Sequence, residues 1–134
     1  MRLALPDDLR FQILAAARAA FPRECCGLIL GVRDGNDAHA LALHPARNLA
    51  AHSDRFEMDP VDQFAALRTA RAGGQAVIGC YHSHPNGLAW PSASDLAGAG
   101  EDGFLWLIVG KDELKLFVYL TGKFTEAALV TSSS

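Results

Sequence analysis

Apolar residues at Leu9, Ile13, Ala16, Ala17 and Ala20 recur at three-to-four spacing between Leu5 and Phe21, the period of one helical face, and Pro22 ends the stretch. Cys25 to Val32 is an almost unbroken apolar run of strand length. Asp34-Gly35-Asn36-Asp37 then turns the chain, and Ala38 to Leu43 reads as the returning strand of a hairpin. Residues 45–54 read as loop, followed by a short strand over Arg55 to Met58. Pro60 opens a second helix through Phe64, Leu67 and Ala70, which Gly73-Gly74 stops. Gln75 to His84 is the next strand, Pro85 to Pro91 a loop around Asn86-Gly87, and Ser92 to about Gly100 a short third helix. Phe104 to Val109 and Leu114 to Leu120 form a second pair of strands around Gly110-Lys111-Asp112-Glu113, and Phe124 to Val130 supplies the last strand.

This interleaving predicts an α/β fold in one domain over residues 1–130, a mixed β-sheet flanked by helices, with 131–134 as a frayed tail. A chain of 134 residues has room for one hydrophobic core and not comfortably for two. Half the residues are hydrophobic and a fifth charged, as in ordinary globular proteins. The formal charge of −3, with arginines scattered singly, offers no basic face for nucleic acid. No apolar run approaches the roughly 20 residues that span a bilayer, and Pro6, Asp7 and Asp8 stand where a signal peptide places its apolar core. Three cysteines, two of them adjacent, make a poor disulfide framework, so reduced thiols and a cytoplasmic location are expected. Oligomeric state stays open.

The chemistry concentrates in His82-Ser83-His84, followed by seven residues, Ser92, two more residues and Asp95. Residues two apart on a strand project from one face, so His82 and His84 form a pincer for one metal ion. Cys80 shares that face in a regular strand but lies too far from His84 to join it. The short loop through Pro85, Gly87 and Pro91 can return Asp95 over the strand end, completing a His-His-Asp set with one tetrahedral position open, the inventory of a catalytic zinc site. Ser92-x-x-Asp95 equally reads as a helix cap, and both readings can hold, since a capped first turn aims a ligand. A hydrolytic metal also needs a base. Glu24, heading the first apolar strand, is the leading candidate, against the plain alternative of an exposed residue at a strand start. Asp54, Glu57 and Asp59 read as solvated loop acids. Cys25, Cys26 and Cys80 read as small buried apolar groups, and Trp90 either lines a substrate entrance or packs its loop.

Glu24 with His82, Ser83, His84, Ser92 and Asp95 matches without substitution the signature of the JAMM, or MPN-plus, metallopeptidases, which the chain resembles. Pro22 to Gly27, Asn48, Arg55-Phe56, Asp59-Pro60 and Gly79 to Pro85 extend the likeness to the compact bacterial branch. The resemblance implies a single MPN-type domain with a curved sheet laid out as in cytidine deaminases. It implies zinc (Zn2+) on His82, His84 and Asp95, Glu24 as general acid/base and Ser92 as oxyanion donor. The implied activity is that of a zinc-dependent peptidase or isopeptidase cleaving the amide after the C-terminal glycine of a ubiquitin-like sulfur-carrier protein. Two alternatives remain: a catalytically silent MPN-type scaffold, and a zinc hydrolase of a small-molecule amide.

Overall fold

The computed structural model describes residues 1–111 and 113–132. Asp112 of the expected turn and Ser133-Ser134 of the expected tail lie outside the described residues. The chain order is β1 (Arg2–Pro6), α1 (Asp7–Ala20), β2 (Cys26–Asp34), β3 (Asp37–Ala46), α2 (Pro60–Ala72), β4 (Ala76–Ser83), α3 (Ala93–Gly98), β5 (Leu105–Val109), β6 (Leu114–Leu120) and β7 (Lys123–Ser132). The sheet is mixed and curls until β1 meets β7, closing the order β1-β3-β2-β4-β5-β6-β7. β1 runs parallel to β3 and β7, β4 parallel to β5, and the other neighbours are antiparallel.

Several boundaries differ from the sequence pattern. β3 takes in Pro45 and Ala46 of the expected loop, because they pair with Gly27 and Cys26. β1 is absent from the sequence pattern and takes Leu5 and Pro6 from the expected start of the helix: Leu3 and Leu5 alternate inward, and the partner residues, 37–39 and 128–132, are too distant for a local period to reveal. Arg55 to Met58 forms no strand, only an isolated Asn48–Met58 bridge. β7 runs through Ser132, two residues past the expected end, because Thr131 and Ser132 pair with Leu5 and Pro6.

The helices sit where their small or apolar faces allow. Leu9 and Ile13 of α1 join Leu3, Ile29, Tyr81, Leu105 and Leu107 on one side of the sheet. Ala66 and Ala70 of α2, both essentially inaccessible, let that helix approach Leu28, Cys80 and Ile108 on the other side. Asp59 caps α2 by accepting from Val61 N–H at 2.9 Å, with Pro60 in the first turn, where no backbone donor is missed. Asp59 is also buried and ion-paired with Arg47 at 2.6 Å, so it is not the solvated loop acid expected. In the β2–β3 hairpin Gly35 takes φ +62°, as the first central position of a tight two-residue turn requires. None of the helices among the described residues is long and apolar enough to cross a membrane.

β4 is the strand that carries the site. A register irregularity opposite Ile29 and Leu30 leaves Ile78 unpaired with β2 and shifts the alternation along β4. Val77, Cys80 and His82 thereby face the α2 side, while Ile78 and Tyr81 face α1.

Candidate active site

The antiparallel register of β2 and β4 sets Cys26 opposite His82 and hydrogen-bonds Ser83 N–H to Cys25 O at 3.2 Å. Continuing that register places Glu24 beside His84. Ser83 points away from the histidine side and accepts from Cys25 N–H at 2.9 Å, riveting β2 to β4 one residue from each candidate group. On the opposite flank His84 N–H donates to Val109 O at 2.9 Å. The two histidines thus end a strand held on both sides, which is how a site gains precision.

Asp95 arrives by the capping box at the head of α3. Ser92 Oγ accepts from Asp95 N–H at 3.0 Å, and Asp95 Oδ2 accepts from Ser92 N–H at 2.8 Å. The cap reading and the convergence of Asp95 on the histidines are both realised. His82 Nε2 lies 3.0 Å from His84 Nε2 and 3.1 Å from Asp95 Oδ1, and His84 Nε2 lies 3.1 Å from Asp95 Oδ2. Ligands about 2.0–2.1 Å from a tetrahedral ion are roughly 3.3 Å apart, so the triangle made by the two rings and the Asp95 carboxylate, each ring facing a different oxygen, is close to one face of such a site.

The donor chemistry asks for positive charge at the centre of that triangle. His84 Nδ1 lies 2.8 Å from Leu88 O, a carbonyl that only accepts, so Nδ1 carries the proton. In the neutral ring Nε2 then presents a lone pair to a carboxylate oxygen. Acceptor facing acceptor at 3.1 Å is stable only with a proton or a metal ion between them. His82 is inaccessible, its ring 4.5 Å from Phe56 and 5.8 Å, edge-on, from Trp106. Its Nδ1 has no protein partner, and neither does Glu24 Oε1.

Electrostatics separate these groups. Burial lowers the His82 pKa despite Asp95, keeping the imidazole neutral. Burial works the same way on His84, but bonds to Asp95 and to the Leu88 carbonyl outweigh it and raise that ring. Burial pushes Asp95 up, yet the hydrogen bonds from His82 and His84 hold its carboxyl well below the usual range. Glu24 goes the other way: burial dominates over the nearby His84 and, with Asp95 and Asp54 adding repulsion, lifts its pKa from 4.5 to about 7. One carboxylate stays ionised while another is poised to exchange a proton near neutrality, a division of labour typical of acid–base sites.

Glu24, His82 and His84 each offer a donor atom within 4.8 Å of one another and can hold a metal ion. The Asp95 oxygens are nearer to both rings, at 3.1 Å. A cleft of about 410 Å³ opens over the group, lined by Glu24, Asp54, His84, Trp90 and Ser92 among others. Asp54 is the solvated loop acid expected, and it also borders the cleft. Trp90 does both things its position allowed: it lines the cleft, and its ring lies 5.6 Å from Phe117 with Lys115 Nζ 5.2 Å above it. Cys80 is buried beneath His82 in the α2-side core, its thiol pushed well up by burial. Cys25 and Cys26 are likewise buried and unbridged.

Sequence reasoning gave Asn48 no role. Its Nδ2 donates to Glu24 O at 3.0 Å and Arg55 O at 3.2 Å, while Oδ1 accepts from Ala50 and Glu57 N–H, both at 2.9 Å. A lone Asn in a loop carries no spacing signal for such a knot.

A closed mixed barrel flanked by helices thus carries, at one strand end, a buried cluster of Glu24, His82, His84 and Asp95 that can hold a metal ion. Residues 6–121 match the family of prokaryotic homologues of the JAB domain, and the chain belongs to that family. It is 35% identical over 116 residues to the desampylase of Haloferax volcanii, covering 83% of this chain and 82% of that one. It is 32% identical over 127 residues to a probable TtuB-protein conjugate cleaving protease of Thermus thermophilus, covering 94% of this chain and 78% of that one. The solution structure of a Desulfitobacterium hafniense protein superposes with a TM-score of 0.90 at 32% identity, covering all of this chain and 94% of that one.

Proposed function

We propose that this protein is a zinc-dependent peptidase or isopeptidase that hydrolyses the amide bond after the C-terminal glycine of a ubiquitin-like sulfur-carrier protein, in the cytoplasm. The observation that carries the reading is the triangle of His82, His84 and Asp95 donor atoms, 3.0–3.1 Å apart, with the unpaired Glu24 carboxyl beside it. The relatives named as a desampylase and as a TtuB-protein conjugate cleaving protease support the substrate class.

His82, His84 and Asp95 would hold the ion. Two imidazoles and one carboxylate with an open position suit zinc, which supplies a Lewis acid and acidifies a water ligand. Each residue has its own task. The Leu88 carbonyl and the capping box fix the direction of His84 and Asp95 before any substrate arrives. Glu24, with a pKa of about 7, accepts a proton from the attacking water and returns it to the leaving amine. Ser92 Oγ already accepts from Asp95 N–H, so its own proton is free to donate to the developing oxyanion.

The test is incubation of the purified protein with the ubiquitin-like carriers of its own genome, each joined through its terminal glycine to a lysine peptide. Release of the intact carrier, abolished by a chelator and restored by zinc, is expected. No release from any carrier under zinc-loaded conditions overturns the reading.

A further inference from the structure

A cavity larger than the cleft just described lies beside it. A groove of about 700 Å³ runs between α1 and the turn joining β5 to β6, and it meets the cleft at His84, Pro85 and Asn86, which border both. α1 contributes Arg10, Leu14, Arg18 and Phe21 beyond its end, one stripe at helical spacing, next to the stripe that packs Leu9 and Ile13 into the core. Arg23 and Lys111 add two more cations, and Glu113 is the single carboxylate among the described lining residues. Those described residues carry a formal +3, in a chain whose net charge is −3. None of Arg10, Arg18 and Arg23 is ion-paired among the described residues, and Arg23 instead donates to Ala50 O.

The two cavities suit different sides of a scissile bond. A glycine-rich carrier tail has no side chains for arginines to read. It fits the smaller cleft, with Trp90 and Pro91 as walls and Ser92 as donor. The wider groove sets four cationic side chains among apolar ones such as Leu14, Phe21 and Leu114, so charge complementarity favours a segment that carries carboxylates. Resting on the activity proposed above, we infer that this groove receives the protein segment on the amine side of the scissile bond and selects conjugates whose modified lysine is flanked by Asp and Glu. Such steering by several exposed cations changes capture more than the chemical step, and it weakens as salt rises.

The test uses two conjugates of one carrier, alike except that the target peptide flanks its lysine with Asp/Glu in one and Ser/Gln in the other. The parent should favour the acidic flank by roughly tenfold in kcat/KM at low salt, mainly through KM, and by less than about twofold at roughly 0.5 M salt. Arg10→Glu/Arg18→Glu should abolish or invert the preference, whereas the same charge change on α2, Arg68→Glu/Arg71→Glu, should keep it. A parent that does not discriminate, or an α1 variant that discriminates as the parent does, overturns the inference. Fluorescence anisotropy of the labelled Asp/Glu peptide alone separates this from failure of the proposed activity. Binding that needs Arg10 and Arg18 upholds the groove even if no conjugate is cleaved, and equal binding by the α1 variant refutes it.

Discussion

Asn48 donates from Nδ2 to the carbonyl oxygen of Glu24, 3.0 Å away, and so ties the candidate base to the 47–59 loop. All four hydrogen-bonding positions of the amide are filled, by Glu24, Arg55, Ala50 and Glu57. Asn48→Asp keeps the acceptor and loses both donors. It should cost about 1–3 kcal/mol in a urea titration and lower kcat by on the order of tenfold or more through misplacement of Glu24, with metal content unchanged. Unaltered kcat would show that the knot serves the loop alone.

Ser92 has a structural role and a proposed chemical one, and Ser92→Ala separates them. Loss of the cap on a six-residue helix should cost about 1 kcal/mol. Loss of an oxyanion donor should lower turnover by about 10²- to 10³-fold. A fall in stability with turnover intact would leave Ser92 as a cap only.

The raised pKa of Glu24 predicts an inverted pH dependence of stability in the metal-free protein. The folded state holds a proton on this carboxyl up to about pH 7, whereas the unfolded chain releases it near 4.5. Between those values the folded state binds more protons, so stability falls as pH rises. Glu24→Gln should therefore stabilise the metal-free protein at pH 8, by on the order of 1–2 kcal/mol after allowing for water in the cleft, with the gain vanishing below about pH 4.5. In the zinc-loaded enzyme the neighbouring cation favours the carboxylate, so the acid limb of kcat/KM should rise as the base loses its proton at a pH below about 7. Thermal melts of parent and variant across pH 4–8 check the first point, and a pH–rate profile the second.

Gly79 lets β4 and β5 pair closely below His82. A Cβ there would lie 2.6 Å from Leu105 O and 2.8 Å from Leu105 Cβ, both fixed in a buried strand. Gly79→Ala should destabilise by about 1–3 kcal/mol and weaken metal binding by shifting the histidine strand. A chemical denaturation curve with parallel metal titration measures both.

The metal cluster was legible because His82, His84, Ser92 and Asp95 fall within fourteen positions, so a strand, a loop and a cap bring them together locally. Glu24 is reached through the β2–β4 register; its place at the head of an apolar strand marks it as a candidate base, the resemblance of the whole motif strengthens that reading, and its position beside His84 comes only from the fold. β1 escaped because five residues with two inward leucines are too short for periodicity, and both partner strands are remote in sequence. The burial of Asp59 has no local mark in the sequence, because it comes from the tertiary contact of the head of α2 with Arg47, whose guanidinium pairs with Asp59 and whose N–H donates to Asp62. The cations of the α1 groove looked scattered along the chain and gather only when that helix lies against the β5–β6 turn.

Zinc stoichiometry and conjugate cleavage, measured together on parent and Glu24→Gln, bear most directly on the assignment of His82, His84 and Asp95 as ligands and Glu24 as base. Both proteins should bind one zinc per chain, about one equivalent by elemental analysis, with cleavage lost by on the order of 10²-fold or more in the variant. A variant that cleaves at the parental rate, or one that no longer holds zinc, would contradict the division of roles, the latter by making Glu24 a ligand.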